Sequence, residues 1–114
     1  IYSAAKLTDD PGVHASPGPI EIMAATTSDC EALSQYAFLF AIRRQEMPDS
    51  KQDVRDRLAT VIKDPAISSQ DRRLLRRYGR GIIDAAWAMP LEADIMKAAF
   101  RLRRKVLEGC NNAQ

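Results

Sequence analysis

The residues with the clearest capacity for chemistry are two cysteines. Cys30 and Cys110 are the only cysteines in the chain, they do not form a Cys-x-x-Cys pair, and His14 is the only histidine. A zinc site built from cysteine and histidine needs four ligands, so one chain cannot assemble it. We therefore expect no metal and no other cofactor. Two free thiols or one disulfide remain as the alternatives.

The positions of the two cysteines favour a disulfide. Cys30 falls at the start of the first long helical segment and Cys110 just past the end of the last. In a four-helix bundle whose helices run alternately up and down, these two ends lie at the same pole. A bridge between them would close a loop of about 80 residues, for which chain-entropy arguments give roughly 4 to 5 kcal/mol of stability.

A persistent disulfide indicates an oxidising compartment. Disulfides form and survive in secreted and periplasmic proteins, whereas thiols stay reduced in the cytoplasm. The sequence therefore predicts a periplasmic or secreted protein. Two unrelated thiols in a cytoplasmic protein are the alternative.

A cluster of five arginines marks the third helical segment, at Arg72, Arg73, Arg76, Arg77 and Arg80. On a helix these residues fall within about 140° of arc, opposite the leucines of the same segment. Arg76 and Arg80 continue into one line along the helix with Ile83 and Trp87. Arginine and tryptophan often dominate protein interfaces, because a planar cation and a large ring lose water at low entropic cost.

We expect the line Arg76, Arg80, Ile83 and Trp87 to bind a protein partner with an acidic surface. The alternative is a solvated arginine face paired with nearby acids. In that case Trp87 packs beneath the turn between the third and fourth helices.

The basic charge raises a second interpretation, which is nucleic-acid binding. The chain carries 17 basic and 15 acidic residues, and residues 68–114 hold ten of the basic and five of the acidic ones. The fourth segment adds a second basic group, at Lys97, Arg101, Arg104 and Lys105. This excess is modest and no recognition-helix motif accompanies it, so we expect nucleic acid not to be the partner.

No residue pattern indicates catalysis. His14 lies in a segment rich in proline and glycine, away from any pattern of an activated cysteine or serine. The carboxylate pair Asp53 and Asp56 lacks the apolar surroundings that raise a pKa for acid catalysis. We expect a non-catalytic protein-binding module, such as an inhibitor, an immunity-type protein or an adaptor. A purely structural or oligomeric component is a further alternative.

Hydrophobic periodicity places these residues on helices. The chain has 114 residues, 46% hydrophobic and 28% charged, with only five glycines, which suits one globular domain and argues against an all-β fold. The pattern predicts helices over about 29–46, 50–63, 69–88 and 90–108. No apolar run is long enough to cross a membrane. We expect an extended N-terminal arm over residues 1–27 and an all-α, up-down-up-down four-helix bundle over residues 28–114.

Short signals predict the ends of these helices. Residues 28–31 have the Ser-x-x-Glu form of a capping box at the start of the first helix. Gly109 fits a left-handed stop at the end of the last helix. Inside the third helix, Gly79 and Gly81 indicate either close packing or a local bend.

The fourth helix carries more apolar surface than one neighbour covers. One stripe consists of Leu91, Ile95, Ala98, Leu102 and Val106, and an adjacent one of Met96, Phe100 and Leu107. Two neighbouring helices in a bundle would explain both stripes. A homodimer interface through Met96, Phe100 and Leu107 explains them almost as well.

Overall fold

The structure, a computed structural model, describes residues 26–112. These residues form four α-helices and no strand: α1 (Thr27–Glu46), α2 (Lys51–Val61), α3 (Ser69–Trp87) and α4 (Ile95–Asn112). The prediction of an all-α fold with four helices is confirmed. None of the helices in this part of the chain has the length and apolarity that a membrane span requires. The predicted arm, residues 1–27, lies outside the described residues except for its last two.

Contacts at both ends of α1 show that α4 runs antiparallel to it. Cys30, in the first turn of α1, is bonded to Cys110 near the end of α4. At the other end of α1, the Arg44 guanidinium donates two hydrogen bonds to the Met89 carbonyl oxygen, at 3.1 and 2.9 Å. Met89 lies a few residues before α4 begins, so the end of α1 meets the start of α4.

Two ion pairs fix the directions of the remaining helices. Lys51 at the start of α2 lies 3.1 Å from the Asp84 carboxylate near the end of α3, so α2 and α3 are antiparallel. Arg73 near the start of α3 lies 3.0 Å from the Asp29 carboxylate at the start of α1, so α1 and α3 are parallel. The up-down-up-down bundle is therefore confirmed.

The two cysteines meet at one pole of this bundle, as predicted. Their Sγ atoms are 2.00 Å apart, their Cα atoms are 5.5 Å apart, and both residues are fully buried. One detail of the prediction is wrong: Cys110 lies inside α4 rather than after it, because Gly109 does not end the helix. Helix α4 continues to Asn112.

The main core lies where α1 packs on α3 and α4. Helix α1 supplies small buried side chains, Ala37 and Ala41, and α4 supplies Ala98 and Ala99 to the same cluster. These alanines permit a close approach, and α1 and α4 form the most extensive contact of any helix pair. Helix α1 thus lies between α3 and α4 and carries buried residues of the main core.

A second, smaller core joins α2 to α3, through Val54, Leu58, Leu75 and Ile83. Of the two alternatives for the glycines of α3, close packing or a local bend, Gly79 shows close packing of α2 on α3. A Cβ atom on Gly79 would lie 3.0 Å from a methyl group of Leu58, whereas a Cβ on Gly81 would meet nothing within 4 Å.

The start of α1 differs from the predicted one. The capping box consists of Thr26 and Asp29 instead of Ser28 and Glu31. The Thr26 hydroxyl accepts a hydrogen bond from the Asp29 backbone N–H at 3.1 Å, and the Asp29 carboxylate accepts one from the Thr26 N–H at 3.3 Å. The helix thus begins two residues earlier, and this places Asp29 against α3.

The start of α4 is also later than predicted. Asp94 caps it, because its carboxylate accepts the Lys97 backbone N–H at 3.0 Å. Residues 90–94 form a link instead of a first turn. Gln45 at the end of α1 holds this link, donating to the Pro90 carbonyl oxygen at 3.0 Å and accepting from the Glu92 N–H at 2.8 Å.

Removing the bridge should destabilise the domain. We expect the double substitution Cys30→Ser and Cys110→Ser to lower the free energy of unfolding by about 2 to 5 kcal/mol, because the unfolded chain gains the entropy of an open loop. Guanidinium unfolding followed by circular dichroism measures the change. The wild-type protein in reductant is the control, and reduction of the native bridge should raise its intact mass by roughly 2 Da. Equal midpoints for the oxidised wild type and the variant would contradict the prediction.

The two glycines of α3 provide a matched pair of substitutions. Gly81→Ala should raise the free energy of unfolding by up to about 1 kcal/mol, the helix propensity of alanine over glycine. Gly79→Ala should yield a smaller gain or a loss, because its methyl group would press on Leu58. Thermal unfolding of both variants tests this difference. An equal increase in the free energy of unfolding for both variants would show that Leu58 moves aside without destabilising the domain.

Candidate functional site

The candidate site lies on the polar face of α3. The Ser68 hydroxyl caps this helix by accepting the Asp71 backbone N–H at 3.0 Å. Leu74 and Leu75 are buried, at 2% and 1% exposure, and fix the rotation of the helix about its axis. The five arginines consequently occupy the opposite side, as predicted, but the structure divides them by what they contact.

Arg72 and Arg73, in the first half of α3, have structural contacts. The Arg72 guanidinium donates to the carbonyl oxygens of Ile62 and Asp64 at 3.0 and 2.7 Å, which holds the turn between α2 and α3. The Arg73 guanidinium donates to the Asp29 carboxylate at 3.0 Å and links α3 to α1. Neither side chain is a free cation on the surface.

Asp29 is a buried carboxylate shared by two helices. It is 3% exposed, and one of its oxygen atoms accepts hydrogen bonds from Gln70 at 2.8 Å and Arg73 at 3.0 Å. The Gln70 hydrogen bond, followed by the Thr26 N–H and the Arg73 charge, lowers the pKa of Asp29 even though burial opposes this shift. The ionised carboxylate therefore stabilises the contact between the starts of α1 and α3.

Arg76 and Arg80 form the unpaired part of the arginine cluster. Both side chains are exposed, and no hydrogen bond or ion pair joins either of them to another residue within 26–112. The neighbouring Arg77 differs, since its Cζ atom lies 5.5 Å from the centre of the Tyr78 ring. Two cations one helical turn apart thus face solvent in the described part of the chain.

The other two residues of the predicted line are placed differently. Ile83 is fully buried in the core between α2 and α3, so the prediction that it contacts a partner requires a correction: α2 covers it. Trp87 is half-buried and its Nε1–H donates to the Pro48 carbonyl oxygen at 2.8 Å. This hydrogen bond anchors the link between α1 and α2, and Trp87 also packs against the main core, which includes Met89 of the turn between α3 and α4. Binding of a partner by Arg76, Arg80 and the accessible part of Trp87 stays a prediction.

The second stripe of α4 is partly exposed. Met96 and Phe100 are each 47% exposed, and Leu107 is half-buried against the main core. The Phe100 ring lies 5.0 Å, between ring centres, from the Phe38 ring of α1. A homodimer interface through Met96, Phe100 and Leu107 stays a prediction.

A groove between α2 and α3 brings the free arginines together with residues that the sequence did not single out. Its volume is about 530 Å³, and its lining includes Arg76 and Arg80 of α3 and Arg55 of α2. Leu58 and Leu75, both buried, form its floor. Periodicity within α2 identifies Arg55 only as a residue on the solvent-facing side of the helix. The pattern of one helix does not show which faces of two helices meet.

The described residues contain no cluster of three or more His, Cys, Asp or Glu side chains with metal-binding geometry. Asp56, one residue of the carboxylate pair considered above, accepts a hydrogen bond from the Gln52 side chain at 2.9 Å.

No protein-family model matches the chain, and searches of curated proteins and of solved structures find no match either. The proposed function rests on the geometry of this chain alone.

The lowered pKa of Asp29 should make stability depend on pH. Because its folded-state pKa lies below the ordinary value of 3.8, its contribution is fully present above that value and disappears as the pH falls through the folded-state pKa. Between about pH 5 and pH 2, the free energy of unfolding of the wild type should fall more steeply than that of Asp29→Asn. Urea unfolding at a series of pH values measures both slopes.

The matched control is Glu31→Gln, which removes an exposed carboxylate from the same helix. This variant should retain the wild-type pH dependence. Parallel curves for the wild type and Asp29→Asn would show that the ionised Asp29 does not stabilise the fold.

Proposed function

We propose that the domain is a non-catalytic protein-binding module of the cell envelope or secreted space and that it binds an acidic surface of a partner protein. The role of an inhibitor, an immunity-type protein or an adaptor would fit this proposal. The observation that carries the proposal is the pair Arg76 and Arg80, exposed and without a bonding partner in residues 26–112. Arg72 and Arg73 on the same helix are already used by the fold.

The fold holds this arginine pair on a rigid support. Leu74 and Leu75 fix the rotation of α3 from within the core, and Arg72 and Arg73 fix its first turns from the surface. A guanidinium on a rigid helix loses less freedom on binding than one on a mobile loop. It also presents parallel N–H groups that match the two oxygens of a carboxylate.

The buried bridge supports a compartment outside the cytoplasm. Cys30 and Cys110 are at bonding distance and inaccessible to solvent, as expected for a disulfide that persists in an oxidising environment. Alkylation of thiols in cells of the native host tests this proposal: the two cysteines should react only after reduction of the unfolded protein. Complete alkylation without reductant would place the protein in a reducing compartment.

Reversing the charge of the arginine pair should abolish partner binding. We expect the double substitution Arg76→Glu and Arg80→Glu to weaken the complex at least about 100-fold, since hot-spot residues of this type contribute strongly and two like charges would face the partner. The partner is first captured from the native host with the oxidised wild-type domain, then purified, and its affinity for each variant is measured by calorimetry.

The matched control is Arg103→Glu with Arg104→Glu, which makes the same change of charge on exposed positions of α4. This variant should bind within about twofold of the wild type, as a position outside the interface would. Unchanged binding by the α3 variant, or equal loss in both variants, would contradict the proposal. A steep fall in affinity for duplex DNA with added salt would favour the nucleic-acid alternative.

A further inference from the structure

We propose that the groove between α2 and α3 binds a short acidic segment of the partner protein, with one apolar side chain of that segment on the groove floor and carboxylates against Arg55, Arg76 and Arg80. The inference rests on the proposed function, because Arg76 and Arg80 form one side of the groove. It adds a defined site, a third cation and a chemical description of the bound segment.

The shape of the groove suits an inserted side chain. Its volume of about 530 Å³ lies within the range of roughly 300 to 1,000 Å³ that is typical of ligand sites. The floor is apolar, since Leu58 and Leu75 are buried there and Ala59 and Ile62 also line it. The absence of a side chain at Gly79 lets Leu58 lie directly against α3. A leucine or phenylalanine of a partner would cover the apolar surface that Ala59 and Ile62 still expose on this floor.

The groove has a net positive charge, because its lining holds three arginines and one aspartate. Arg55 comes from α2, and like Arg76 and Arg80 it has no ion pair or hydrogen bond to another residue of that part of the chain. The one carboxylate in the lining, Asp56, already accepts a hydrogen bond from Gln52. Three guanidinium groups around an apolar floor complement carboxylates that flank an apolar side chain.

The lining favours an acidic peptide over a nucleic acid. A phosphodiester backbone would use the arginines but would leave the exposed Ala59 and the half-buried Ile62 without an apolar partner. No lining residue is aromatic, so the groove lacks the aromatic rings on which single-stranded bases usually stack. An acidic peptide with an apolar residue would place carboxylates against the three arginines and its apolar side chain on the groove floor.

A peptide selection with groove variants tests the inference. Random twelve-residue peptides displayed on phage are selected on the oxidised, full-length chain, and an enriched peptide is synthesised with a fluorescent label. The enriched sequences should combine Asp or Glu with Leu, Ile or Phe. Fluorescence anisotropy should then show at least about tenfold weaker binding by Ala59→Trp and by Arg55→Glu, because one fills the groove and the other reverses its charge.

Each variant has a matched control. Ala66→Trp adds the same ring to an exposed alanine that does not line the groove, and Arg57→Glu makes the same change of charge elsewhere on α2. Both controls should retain wild-type affinity. Circular dichroism and unfolding midpoints verify that all four variants are folded, and substitution at exposed Ala59 leaves the buried floor residues unchanged.

The outcomes separate this inference from the proposed function. If Ala59→Trp and Arg55→Glu bind the peptide and the purified partner as tightly as the wild type, while Arg76→Glu with Arg80→Glu does not, the groove inference fails and the arginine surface stands. If none of these variants loses the partner, both fail. Enrichment of peptides without acidic residues, or displacement of the peptide by duplex DNA at physiological salt, also overturns the inference.

Discussion

The arrangement of this domain depends on two adjacent residues in the first turn of α1. Cys30 bonds α1 covalently to the last turns of α4, and Asp29 joins α1 to the start of α3 through Gln70 and Arg73. Both residues are buried. The first contact is a covalent bond, and the second is an ion pair whose carboxylate is almost inaccessible to water. Helix α1 is consequently the common neighbour of α3 and α4, and its position determines theirs.

The same constraint explains why two arginines remain free. Once Arg73 binds Asp29 and Arg72 holds the turn after α2, the rotation and start of α3 are fixed. The next arginines on that side, Arg76 and Arg80, form no ion pair within residues 26–112. Arg76 and Arg80 are exposed and line the groove between α2 and α3. Lys51 and Asp84 close the far end of that helix pair, so the groove lies between two fixed ends.

The sequence was sufficient for the fold and insufficient for the local details that tertiary contacts decide. Periodicity identified four helices, and the positions of Cys30 and Cys110 identified the shared pole. The cap of α1 was misplaced because two overlapping motifs were available, and the choice between them rests on Asp29, which gains Gln70 and Arg73 as partners only in the folded chain. Gly109 was misread because Cys110 keeps the last turn of α4 packed on α1.

The same limit applies to the candidate site: the sequence of one helix predicts which residues share a face, but not which faces of two helices pack together. A helical projection correctly placed Ile83 on the line of Arg76 and Arg80, yet α2 covers that part of the line because Leu58 packs on Gly79. The same packing brings Arg55 of α2, which helical periodicity alone identifies as a solvated residue, to the groove beside Arg76 and Arg80. An excess of charge can be found on a single helix, but the convergence of charges on an apolar floor is a property of the helix pair. Predicting this convergence of charges requires the angle and distance between α2 and α3. Gly79 lets the two helices pack closely, because it has no side chain to press on Leu58.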